Sequence, residues 1–93
     1  SDKPSPPQTK FYRICRNKED RRSVILKWRE VEGATGYGIR FGIHPEKLYN
    51  SYMVYNDTEI ELRCLQTGQT YYFAVDSFNE GGITRGDIMK ENE

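Results

Sequence analysis

Apolar residues recur at every second position in short runs along this chain, and clusters of glycine, asparagine and charged residues separate the runs. Val24, Leu26 and Trp28 alternate with Ile25, Lys27 and Arg29, and Tyr37, Ile39 and Phe41 alternate with Gly38, Arg40 and Gly42. Ile60 and Leu62 are set among Glu59, Glu61 and Arg63, and Tyr71, Phe73 and Val75 alternate with Tyr72, Ala74 and Asp76. A period of two places alternate side chains on opposite faces of a strand, and no run keeps the 3.6 period of an amphipathic helix. Strands are therefore expected at 11–15, 23–29, 37–42, 48–55, 59–63, 71–76 and 83–88. Turns fall at 17–22, 32–36, 44–47, 56–57 and 79–82, where Gly, Pro, Asn and Asp gather.

Runs that alternate with polar residues suit sheets covered on one face, which favours antiparallel pairing. Short strands at this spacing predict an all-β, immunoglobulin-like, seven-stranded antiparallel sandwich. Its expected core is Val24, Leu26, Trp28, Tyr37, Ile39, Phe41, Ile60, Leu62, Leu65, Tyr71, Phe73 and Val75.

At 93 residues there is room for one domain. A chain of this size buries only roughly 60% of its unfolded surface, so the core must be continuous. Fourteen basic and fourteen acidic side chains cancel to zero. Nucleic acid is excluded as a partner by the lack of a basic field, and the mixed surface does not attract an anionic membrane. No run approaches the roughly 20 apolar residues that span a bilayer. The opening 1–7 has no apolar signal core, so either the protein is not exported or the sequence is a fragment. Pro4, Ser5, Pro6 and Pro7 favour the second, because proline-rich spacers stay extended between domains. The expected organisation is a linker over 1–8, one domain over 9–88 and a tail over 89–93.

Three features resemble a fibronectin type III domain. Leu26-Lys27-Trp28 supplies a leucine and a tryptophan from the second strand, and Tyr37 to Phe41 is similar to the aromatic-x-aliphatic-x-aromatic third strand. Leu65, Gly68 and Tyr71 match the Leu-x-x-Gly-x-x-Tyr approach to the sixth strand, the tyrosine corner. There a buried ring sends its hydroxyl back to the backbone a few residues upstream, and glycine permits the turn. The resemblance implies that strands 11–15, 23–29 and 59–63 face 37–42, 48–55, 71–76 and 83–88.

A narrower resemblance lies in Gly38 to Ile43 with Pro45 to Tyr49, and in Thr70 to Asp76 with Phe78 to Glu80. These stretches are similar to the C-terminal fibronectin type III-like module of bacterial family-43 glycoside hydrolases, the xylosidase and arabinofuranosidase group. The resemblance implies a monomeric, non-catalytic accessory module of a secreted or periplasmic polysaccharide-degrading enzyme, following a five-bladed catalytic propeller. The implied partner is the catalytic domain of the same parent chain. None of that domain's acids has a counterpart here. A carbohydrate-binding module and an adhesion or receptor-type module are the alternatives.

No catalytic, cofactor-binding or metal site is expected. His44 is the only histidine and sits in a turn before Pro45, with no motif bringing a nucleophile and an acid to it. Glu59 and Glu61 share a strand side, about 7 Å apart, which fits a glycosidase pair no better than it fits a charged face. Across the sheet they are expected to meet Lys27 and Arg29. One histidine with Cys15 and Cys64 on different strands offers no zinc spacing, and Asn56-Asp57 and Asn79-Glu80 are turn residues. With one strand between them the two cysteines lie about 9–10 Å apart, beyond disulfide reach, and are expected as half-buried thiols. Arg85-Gly86-Asp87 spells an adhesion tripeptide, but it follows the short 79–82 turn instead of tipping a long loop.

The outward positions of the second sheet carry more information. Gly36, Gly38, Arg40 and Gly42 on the third strand face Tyr72, Ala74, Asp76 and Phe78 on the sixth. Glycines leave the backbone open to close approach, and Arg40 and Asp76 are placed to pair across adjacent strands. Arg40, Tyr72, Asp76 and Phe78 are the candidate interface. Either Tyr72 and the tyrosines of 48–55 roof the glycines, or the same patch docks another domain. Stacking on a polysaccharide needs a platform of exposed rings among Tyr49, Tyr52 and Tyr55.

Overall fold

The computed structural model describes residues 3–91. Eight strands form two antiparallel sheets: β1 (Phe11–Arg16), β2 (Val24–Trp28), β3 (Gly36–Gly42), β4 (Asn50–Tyr55), β5 (Glu59–Leu62), β6 (Tyr72–Asn79), β7 (Gly82–Thr84) and β8 (Met89–Lys90). One sheet has the order β1-β2-β5; the other has β4-β3-β6-β7, with β8 also pairing β6. This is the expected division of strands between the layers.

Alternation explains the core. Val24, Leu26 and Trp28 of β2 face Tyr37, Ile39 and Phe41 of β3 and Phe73 and Val75 of β6, and all are buried. Trp28 packs edge-on against Phe11 and Tyr37 at 6.2 and 5.6 Å between ring centres. Of the twelve expected core residues, Ile60 is only half-buried against the cluster, because β5 is an edge strand. Phe11 and Val54 join the core unforeseen. The fourth strand begins at Asn50, not 48, since Lys47 closes a turn with His44.

The last strand departs from its expected course over 83–88. β7 pairs with Ser77 to Asn79 and β8 with Tyr72 and Phe73, so residues 85–88 interrupt the edge. The sheet also continues past residue 88, where a tail was expected. Met89 and Lys90 pair with β6, and Glu91 is buried with Arg16.

Residues 4–8, expected as a free linker, are strapped to the β6–β7 end. Asn79 Nδ2 donates to the carbonyl of Pro4, Ser77 Oγ to that of Pro7 and Thr84 Oγ1 to that of Pro6. Prolines leave their carbonyls unspent, and these side chains use them.

Lys27 stands opposite Glu59 at 3.9 Å, but Arg29 does not meet Glu61. Antiparallel strands run oppositely, so two residues beyond Lys27 lies two residues before Glu59. Glu61 instead accepts from Ser23 and Arg63, and Arg29 lies over the Tyr12 ring. Cys15 is half-buried and Cys64 exposed, both free thiols, so the expectation of two half-buried thiols fails at Cys64, just past the short β5.

Candidate functional site

β3 and β6 pair with Gly36 opposite Phe78, Gly38 opposite Asp76, Arg40 opposite Ala74 and Gly42 opposite Tyr72. The three outward glycines have different fates. At Gly36 a Cβ would lie 2.7 Å from Phe78 Cζ and 3.0 Å from Tyr55 Cδ1, and those two rings meet edge-on at 5.7 Å. At Gly42 it would strike the carbonyl of Lys47, 2.5 Å away. Only Gly38 keeps an open floor, with the Met53 sulfur at 3.8 Å.

Over that floor runs a groove of ≈ 320 Å³. Leu48, Tyr49, Ser51 and Met53 line one wall, Phe78 and Ile83 the other, and Arg40, Asp76 and Arg85 its polar part. Tyr49 is 82% exposed, Ile83 58% and Met53 55%, so its apolar rim faces solvent.

Asp76 organises the polar part. Arg40 donates to both its oxygens, Nε at 2.7 Å and Nη2 at 2.9 Å, while Arg85 Nη1 and the Gly86 amide each donate at 2.9 Å. Burial pushes this carboxyl's pKa up more than any other single influence pushes it. The donors of Arg40, Gly86 and Arg85 together outweigh burial and hold it below the usual carboxylate range. The same carboxylate explains the broken edge: it takes the Gly86 amide opposite the stretch of β6 that neither β7 nor β8 covers.

Ala74 and Asp76, expected to face outward, are therefore buried. The Arg40 and Arg85 guanidiniums bond Asp76, and the Gly86 amide reaches it from beside the β6 backbone. Arg85-Gly86-Asp87 belongs to this packing: a Cβ on Gly86 would lie 1.9 Å from the Val75 carbonyl, and Gln8 donates to Asp87 and to the Arg85 carbonyl.

The structure brings together Arg40, Asp76 and Phe78 from the candidate interface and leaves Tyr72 apart. Tyr72 opens β6, roughly 20 Å along the strand from Phe78, paired with Gly42 and Lys90. Met53, Ile83 and Arg85 were not foreseen as site residues. Met53 was signalled by sharing strand parity with Ser51 and Tyr55, whereas the break that brings Arg85 inward has no local mark.

Tyr49, Tyr52 and Tyr55 form no single platform. Tyr55 leans on Phe78, while Tyr52 lies on the opposite side of β4, beside Glu61, Leu62, Arg63 and Cys64. Tyr49 divides the groove from a second depression of ≈ 350 Å³, lined by Gly42, Ile43, His44, Lys47, Asn50, Gln66 and Tyr71. His44 is exposed there, and among the described residues no carboxylate lines that depression. Among the described residues no three His, Cys, Asp or Glu side chains are grouped to hold a metal ion.

At the other end of the second sheet, Tyr71 accepts a 2.9 Å hydrogen bond from the Gln66 amide through its hydroxyl. Leu65 is buried beneath it, and Gly68 takes φ +84°.

Sandwich order, paired corner and core make this a fibronectin type III fold. Among solved structures the chain is similar to FN3tt mut, with TM-score 0.75 and 21% identity over 95% of this chain and 96% of that one. A Fn3-like protein from Clostridium thermocellum superposes with TM-score 0.73 and 18% identity, over 100% of this chain and 97% of that one. The fn3 domain of human collagen alpha-1(XX) gives 0.63 and 22%, over 96% and 83%. No protein-family model and no curated protein matches the chain.

Proposed function

We propose that this chain is a non-catalytic interaction module of a larger secreted bacterial polysaccharide-degrading enzyme, packing against its catalytic domain. The observation that carries the docking is the groove over Gly38, where exposed apolar side chains flank a rigid, fully engaged ion cluster. Apolar anchors beside oriented arginines are what protein interfaces use, and a carboxylate already held by four donors costs no further ordering on docking. The identity of the parent enzyme rests on the likeness of 38–49 and 70–80 to modules of family-43 glycoside hydrolases. Bonds of Arg85 and Gly86 to Asp76 and of Gln8 to Asp87 disfavour adhesion through that tripeptide, and the division of the tyrosines disfavours a sugar platform.

The test is calorimetric titration of the module against a separately produced family-43 propeller domain from the same polypeptide. Binding weakened about tenfold or more by Ile83→Asp, as expected for a lost anchor, supports the reading. No binding, or binding indifferent to Ile83→Asp, overturns it. A change in tyrosine fluorescence with xylo-oligosaccharides, lost in Tyr49→Ala, would replace it with carbohydrate binding.

A further inference from the structure

Sheet edges in this fold are blunted everywhere except at β4. β1 carries a register shift between Phe11 and Arg13, and Arg13 is an exposed charge on it. β5 has four residues, two of them exposed glutamates. The β7–β8 edge is short and broken, and residues 4–8 are strapped beside it. These are the devices by which sheets refuse further strands.

β4 has none of them. Asn50–Tyr55 pairs with β3 in six unbroken registers and, among the described residues, has no strand neighbour on its other side. It contains no charge and no proline, in a chain of which 30% is charged. Tyrosine, methionine and valine make it a strong strand former, and five of its six residues are exposed.

We infer that β4 pairs antiparallel with β4 of a second copy of this chain, about a two-fold axis at Tyr52. That register sets Ser51 across from Met53 and Asn50 across from Val54, with the two members of each facing pair on the same side of the joined sheet. The residues that adjoin the strand, Tyr49 and Asn56, are uncharged too, so the register brings no like charges together at its ends. Zero net charge removes the long-range repulsion that otherwise keeps copies apart. A charged edge would repel its own image; this one does not. The inference does not depend on docking at the groove, whose far wall is Phe78 and Ile83.

Sedimentation of the whole chain up to about 1 mM, within reach of weak association, tests it. The mass should climb with concentration from 10.9 kDa towards twice that value. Tyr52→Lys and Tyr52→Glu, each facing its own charge, should weaken association about tenfold or more, and their equimolar mixture should restore it as a heterodimer. Ser51→Lys, at an exposed position, carries the same expectation if either Tyr52 variant is unfolded by circular dichroism. Ile83→Asp should leave association unchanged. A monomer at every concentration, folded lysine variants that associate like the parent, or a mixture that stays monomeric would overturn the inference.

Discussion

Arg16 and Glu91 form a 2.6 Å ion pair in which both side chains are 3% exposed, joining β1 to the segment that follows β8. Arg16 also donates to the carbonyls of Arg21, Gln66 and Gln69 and lies over the Tyr71 ring at 5.4 Å. Glu91 accepts the Tyr71 amide at 2.7 Å. The pair thus binds three backbone segments around the tyrosine corner. A buried pair is not by itself a large net stabiliser, but loss of one member leaves a charge stranded. Glu91→Ala is expected to lower stability by about 3–5 kcal/mol, and Arg16→Met with Glu91→Leu by much less. Urea denaturation of the three proteins checks the ordering; equal losses would show that the geometry matters and the charge does not.

Asp76 makes stability depend on acid. Its folded pKa lies below the unfolded value, so its contribution is complete above about pH 4 and is lost as pH falls through the lower, folded value. Asp76→Asn cannot titrate, and should cost about 2–3 kcal/mol at neutral pH through weakened charge-assisted bonds. Its stability should then fall less than the parent's below pH 4. Parallel denaturation curves at neutral and acid pH decide this.

Gly86→Ala places a methyl against the Val75 carbonyl. The segment 85–88 must then lift from β6, weakening the Gly86 and Arg85 bonds to Asp76. A loss of about 1–3 kcal/mol is expected. Because both changes act through one cluster, Gly86→Ala combined with Asp76→Asn should cost less than the sum of the two. Strict additivity in a double-mutant cycle would separate them.

Trp28 is fully buried, yet its Nε1–H meets no hydrogen-bond acceptor among the described residues. Trp28→Phe shrinks the core but also removes that unpaired donor, so the two effects oppose one another. The substitution should cost about 1 kcal/mol, against about 2–5 kcal/mol for Leu26→Ala in the same layer. Thermal unfolding of both variants measures the difference.

Much of the architecture was legible because strand alternation is local. Val24, Leu26 and Trp28 mark an inward face whatever lies opposite, and the Leu65, Gly68, Tyr71 spacing marks its corner. The interaction face was legible in part. Arg40 and Asp76 sit two residues from facing one another on neighbouring strands, so their pairing followed from the register. Tyr72 was misplaced for the complementary reason: sharing an outward parity with Phe78 says nothing of the distance along the strand.

The amino-acid order by itself determined which side of each strand is oily, because a period of two needs only neighbouring residues to express it. Where covering segments land was decided only by the folded chain. Glu91 reaches Arg16 across 75 positions, the Gly86 amide reaches Asp76, and residues 4–8 are held at the β6–β7 end while β4 has no second strand neighbour among the described residues. Each is a contact between parts distant in sequence, settled by packing and hydrogen-bond competition that no local pattern encodes.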